Sequence, residues 1–206
     1  SIASHNRNEE FLQEYWKFAK LKMTPDELKN MLYEVDSEGF NTFHRAVDCN
    51  TKNILESLLQ LIKETFGGEE LIKISKTFND NKGFNIFHCA AQNSENEEIF
   101  SILWRLCKDN LGIKAIQRMM KQKDKSQFNV LHLMIMDNDN EDVLEDFFSV
   151  LPEIFPKNDE LVEFLNEKGS NTNRRATSII KTAGKNIQFL KIFWSFFETK
   201  IPHDVL

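Results

Sequence analysis

A chain of 206 residues with a formal net charge of −6 and dispersed Lys and Arg lacks the clustered positive charge that nucleic-acid binding needs, so no nucleic-acid partner is expected. No run of 18 apolar residues could span a bilayer, so no membrane insertion is expected. Seven glycines and four prolines are too few for the tight turns of an all-β sandwich, while 18 phenylalanines imply a large aromatic core, so the expected fold is all-α.

In chain order, Glu9–Lys22 carries Phe11, Leu12, Tyr15, Trp16 and Ala19 at helical spacing. Thr24-Pro25-Asp26-Glu27 is a capping box with Pro at the first helical position, launching a helix through Leu28, Met31 and Leu32. Residues 8–35 thus read as an N-terminal helix pair. Three matching segments follow: DSEGFNTFHRAV at 36–47, DNKGFNIFHCAA at 80–91 and DKSQFNVLHLMI at 124–135. Their Asp, Phe, Asn and His positions recur at an offset of 44, as in Asn41, Asn85 and Asn129 and in His44, His88 and His132. The chain therefore divides into copies 36–79, 80–123 and 124–172, with a degenerate fourth over 173–206 whose worn match is NRRATSIIKTAG at 173–184. All of them are expected in one domain, 1–206.

Each copy opens with Asp-x-x-Gly, which suits a tight turn because Asp bonds nearby backbone and Gly accepts positive φ. Gln127 stands at that Gly position in the third copy, so its turn is expected to differ or to be strained. The Asn that follows is a good N-cap. Phe43 and Ala46, Phe87 and Ala90, and Leu131 and Met134 then each share one helix face. A second helix is expected after Thr51, after Ser94 with Glu97 completing a capping box, and after Asn140. Glu69–Lys76 and Ile113–Lys121 also read as helical, which gives each copy a third short helix.

Gly39-Phe-Asn-Thr-Phe-His-Arg-Ala46 and Gly83-Phe-Asn-Ile-Phe-His-Cys-Ala90 resemble the ankyrin-repeat signature G-x-T-P-L-H-x-A, with Asn for the capping Thr and Phe for the Leu. The third copy keeps Asn129, Leu131 and His132 of it. The resemblance covers 36–151 and implies a helical repeat solenoid of helix-turn-helix units. The period of 44 exceeds the ankyrin period of about 33, and the extra short helix makes a three-helix unit like those of armadillo and HEAT repeats, the second family resembled. The signature positions Asn41, His44, Asn85, His88, Asn129 and His132 are expected to be structural, the His bonding backbone between repeats as the resemblance implies.

No catalytic, cofactor or metal residues are expected, and no enzyme. Histidines 44 residues apart in a stack lie roughly 8–10 Å apart at best, too far to share one ion. Cys89 and His88 are adjacent on a helix and diverge by about 100°, so they are no nucleophile and base. The acidic run Asp137–Glu145 lacks the Gly and terminal Glu of a calcium loop, and Gly67-Gly68 lacks the Lys of a phosphate loop. Cys49, Cys89 and Cys107, an odd set without CxxC spacing, fit reduced thiols in an intracellular protein, cytoplasmic or nuclear. With Ser1 at its start and no apolar signal core, the chain is expected to be a domain of a longer protein.

The resemblance implies a protein partner held on the concave or turn-tip surface. The residues expected there are Glu38, Arg45 and Asp48, Lys82, Gln92 and Asn93, and Lys125, Met136 and Asp137. The resemblance also admits an inhibitory module like the NF-kappa-B inhibitors, or a regulatory domain of a larger enzyme or channel. In Ile187–Glu198 the polar residues crowd into about 80° of helix, so Trp194 and Phe197 are expected at an interface, including a homo-oligomer through this helix.

Overall fold

The structure is a computed structural model and describes residues 9–49, 52–77, 81–93, 95–167 and 186–200. Among them are twelve helices and no strand. They are α1 (Glu9–Lys22), α2 (Pro25–Tyr33), α3 (Thr42–Cys49), α4 (Lys52–Phe66), α5 (Gly68–Ser75), α6 (Ile86–Gln92), α7 (Ile99–Leu111), α8 (Ile113–Lys121), α9 (Val130–Asp137), α10 (Glu141–Ile154), α11 (Asn158–Leu165) and α12 (Ile187–Lys200). The fold is all-α. None of these helices is long and apolar enough to cross a membrane.

Local chemistry starts each copy as its residues dictate. In the first turn, the Asp36 carboxylate accepts the N–H groups of Glu38 at 2.9 Å and Phe40 at 3.0 Å, and the Gly39 N–H donates to the Asp36 carbonyl at 2.9 Å. The third turn repeats this, the Gln127 N–H donating to the Asp124 carbonyl at 3.0 Å and the Phe128 N–H to the Asp124 carboxylate at 2.8 Å. The turn does not differ: Gln127 adopts φ 68°, beside 85° at Gly39 and 75° at Gly83. It takes the strained alternative, because an L-residue pays a steric penalty in the left-handed region that Gly avoids. The asparagines then cap the helices. Asn41, Asn85 and Asn129 accept the N–H groups of His44 at 2.9 Å, His88 at 3.3 Å and His132 at 3.1 Å.

The helices pack in rows. α3 lies on α6 and α6 on α9, while α1, α4, α7, α10 and α12 each meet the next. Polar contacts along that second row run in the same order on both partners: Ser57 and Thr65 of α4 meet Glu9 and Trp16 of α1, Lys52 at the start of α4 meets Glu98 just before α7, Phe100 and Trp104 of α7 meet Asp146 and Glu153 of α10, and Asn186 just before α12 donates to the Asn138 carbonyl just before α10. The helices of the row are therefore parallel. The short helices α5 and α8 occur where the surplus length of the 44-residue unit falls, and each packs on the second-row helix of its own copy and of a neighbouring one. Burial is most complete at α6, where Ile86 to Ala91 are all shielded. Aromatic rings lock adjacent copies, Phe100 against Phe147 at 4.9 Å and Phe148 against Phe189 at 5.6 Å. Each fully buried Phe or Ile contributes about 1.5–3 kcal/mol.

One boundary differs from expectation. α7 begins at Ile99, so Glu97 lies in the turn before it and closes no capping box; Ser94 lies outside the described residues, as do Thr51 and the worn match at 173–184. The first amides of α7 are instead satisfied from another helix. Phe100 and Ser101 donate their N–H groups to the Asp146 carboxylate of α10 at 2.7 and 3.1 Å, and the Ser101 hydroxyl donates to it as well.

Candidate interaction surface

The repeated Asn and His form the joints behind the surface. His88 accepts the Asn85 N–H on Nδ1 at 3.2 Å and donates from Nε2 to the Gln122 carbonyl at 3.1 Å, which sets the neutral Nε2–H tautomer. Asn85 donates its side-chain amide to the Met119 carbonyl at 2.8 Å. His44 Nε2 lies 3.1 Å from the Thr77 carbonyl, and the Asn41 amide donates to the Thr77 hydroxyl at 2.7 Å. His44 and His88 thus tie the start of their copies to the exit of the same copy's third helix, and each ring also faces the backbone of the next copy, at Phe84 and Phe128. Burial pushes His44 and His88 down to about 4, against the opposing pull of the backbone carbonyls they face. His132 is also buried and pushed down to about 4, yet its Nε2 has no partner. The described residues contain no group of three or more His, Cys, Asp or Glu placed to hold a metal ion. Cys89 and Cys107 are buried thiols.

A second set of amides, which the sequence reading missed, links successive first helices. Asn93 donates to the Val47 carbonyl at 2.6 Å, Asn138 to the Asn93 carbonyl at 3.0 Å, and Asn186 to the Asn138 carbonyl at 2.8 Å. Asn93 was expected to face a partner. It is buried instead, because the next copy packs over it and its amide satisfies a carbonyl at the end of α3.

The turn tips are joined side by side. The Asn81 amide donates to the Ser37 carbonyl at 3.0 Å and the Lys125 N–H to the Lys82 carbonyl at 2.9 Å. This close approach also constrains Gly83, where a Cβ would sit 3.3 Å from the Lys125 nitrogen. The tips expose Glu38, Lys82 and Lys125. Lys82 lies over the rings of Phe40 and Phe84 at 5.5 and 5.3 Å, a cation–π placement that holds its stem against the scaffold. Arg45 is half-buried and bound to Asp36 at 2.7 Å, Glu38 at 3.2 Å and Asp48 at 3.2 Å, with its guanidinium 4.3 Å above the Phe40 ring. Burial works to raise the Asp36 carboxyl, but the Arg45 guanidinium and two backbone N–H groups hold it below its ordinary value. Arg45 and Asp48 are thus internal partners as much as surface groups. Among the described residues of the first helices only Met136 and Asp137 are fully exposed, and Gln92 donates to Asp137 at 2.8 Å. The joined turn tips thus form a strip that exposes Glu38, Lys82 and Lys125, while Met136 and Asp137 are exposed at the end of α9.

Trp194 and Phe197 stand apart from this strip on α12. Trp194 is 61% exposed, whereas Phe197 is half-buried against Phe193 at 5.6 Å. An open groove of about 710 Å³ runs between α10 and α12, floored by Phe148 and Phe196 and edged by Glu141, Glu145 and Lys191.

Further ties between copies went unread in the sequence: Arg105 to Glu56 at 3.1 Å, Trp104 to Glu153 at 2.9 Å and Tyr33 to Glu70 at 2.5 Å. Complementary residue types 49 apart are the signal that could have found the first two. Compared with known proteins, the chain matches no family model, no curated protein and no solved structure.

Proposed function

We propose that the chain is a divergent ankyrin-type array, a helical repeat solenoid with an extra short helix per unit, that serves as a protein–protein interaction module rather than an enzyme. The joined row of turn tips carries this reading. Hydrogen bonds between tips and buried Asn and His joints behind them hold exposed side chains in fixed relative positions, and such preorganisation favours binding by cutting ordering costs. The Asn cap, the His and the turn before them favour the ankyrin type over the armadillo and HEAT types, which also use three-helix units of this length. Solenoids generally bind partners along their extended face, and the mixed charge of the strip suits a polar protein surface better than a nucleic acid. An inhibitory module like the NF-kappa-B inhibitors, or a regulatory part of a larger enzyme or channel, would use the same strip.

A pull-down from native extract with identification of the retained proteins tests this. The native chain should retain a specific protein that Lys82→Glu/Lys125→Glu loses, while Lys63→Glu on α4 leaves retention unchanged. Retention of the same proteins by all three chains would overturn the assignment of the tips.

A further inference from the structure

The row α1–α4–α7–α10–α12 makes one kind of contact four times, parallel helix against parallel helix. Its interior members are apolar on two flanks. α10, for example, meets α7 through Phe147 and α12 through Phe148. Of the eight large apolar side chains exposed among the described residues, five lie on α1 and α12, the first and last of the row.

Their positions are not random. α1 faces α4 through Trp16, whose indole N–H donates to Thr65 and whose ring meets Phe66 edge-on. At about 100° per residue, Phe18 stands about 160° and Leu21 about 140° around the helix from Trp16. They are 58% and 82% exposed. α12 faces α10 through Phe189 and Phe196, both against Phe148. Trp194 stands about 160° and Ile187 about 180° from Phe196 by the same geometry, and they are 61% and 68% exposed. Both terminal helices therefore carry large exposed apolar side chains among charged ones on the flank that faces out of the row.

Charge fits the two outer flanks to each other. On α1, Glu14 lies early and Lys22 late on the side of Phe18; on α12, Lys191 lies early and Glu198 late on the side of Trp194, and all four are exposed. In the parallel arrangement the row already uses, Lys191 would meet Glu14 and Glu198 would meet Lys22.

We propose that the chain associates head to tail with a second copy of itself, the outer flank of α12 in one copy seated on the outer flank of α1 in the next, so that the row continues across the boundary. Such a contact is heterologous and does not close on itself, so it extends with concentration rather than stopping at a dimer. It lies apart from the turn tips and does not depend on their function.

Analytical ultracentrifugation of the native chain and of Phe18→Glu and Trp194→Glu tests the proposal, with circular dichroism to verify folding. Both substituted positions are exposed, so both variants should fold. The native chain should rise in average mass by about twofold or more between micromolar and millimolar concentration, the range of modest interfaces. Each variant alone should remain a single chain, having lost one of the two flanks. Mixed in equal amounts they should pair, because Phe18→Glu keeps its α12 flank and Trp194→Glu keeps its α1 flank. Trp16 and Trp104 are buried, so a blue shift of tryptophan emission on mixing reports the docking of Trp194. Lys191→Glu should weaken association by roughly threefold, as expected for one exposed pair, and Lys191→Glu/Glu14→Lys should restore it. A native chain that stays single to millimolar concentration would overturn the proposal, whatever else covers these flanks. So would self-association of either variant alone, which would mean like flank against like, and so would a mixture that fails to pair.

Discussion

The second and third copies carry the same Asp, Phe, Asn and His at the same offset, yet their joints are finished differently. His88 uses both ring nitrogens on backbone groups, and its turn passes through Gly83. His132 is equally buried but leaves Nε2 unbonded, and its turn forces Gln127 to φ 68°. A sequence match therefore preserves the placement of a buried polar group without preserving its partners. The second joint is fully bonded and unstrained, while the third spends stability on a lost hydrogen bond and a strained turn.

The largest effect expected concerns acid. Burial holds His44 and His88 at about 4 in the fold, against an ordinary value of 6.5. Below pH 6.5 the unfolded chain takes up protons that the folded chain refuses, so this stability is present above 6.5 and is lost as pH falls toward 4. Each such histidine accounts for roughly 3 kcal/mol across that window. Urea titrations at pH 7 and pH 4.5 should show the decline, and His44→Gln/His88→Gln should make it shallower, with His132, also held at about 4, keeping its own share. An unchanged slope in the double variant would mean that other groups set the acid response.

The joints themselves come next. His88→Ala strands the Gln122 carbonyl and the Asn85 N–H and should cost about 1–3 kcal/mol, whereas His132→Ala removes a ring already short of one bond and should cost roughly 1 kcal/mol less. Equal losses in urea unfolding would break the contrast between the copies. The turns give the smallest effects. Gly83→Ala should destabilise by about 1–2 kcal/mol, since its φ is positive and its Cβ would crowd Lys125, while Gln127→Gly should stabilise by up to about 1 kcal/mol. A loss on Gln127→Gly would show that the glutamine side chain contributes more than its backbone strain costs.

Much of the scaffold was legible in the residues. The 44-residue offset located the three turns, the capping asparagines and the short helices α5 and α8, because a turn, a cap and an apolar stripe each depend on residues within four positions of one another. The start of α7 was not legible. Its cap, Asp146, comes from another helix, and the equivalent positions in the earlier copies are Ile102 and Leu58, so no repetition marked it. Asn93 misled for a similar reason: a polar residue just past a helix reads as surface until the next copy is placed over it. The expected surface was half legible. Glu38, Lys82, Lys125, Met136 and Asp137 are exposed as expected, while Arg45 and Asp48 are drawn into an internal ion network by Asp36.

The sequence by itself determined where the first helix of each repeated unit begins and which stripe it buries, since those choices rest on contacts three or four residues apart. Only the tertiary structure decided which polar side chains are buried joints and which remain exposed. The bonds that decide it join residues 33 to 51 positions apart, from His44 with Thr77 to Asn186 with Ile135, and they exist only once the copies are packed together.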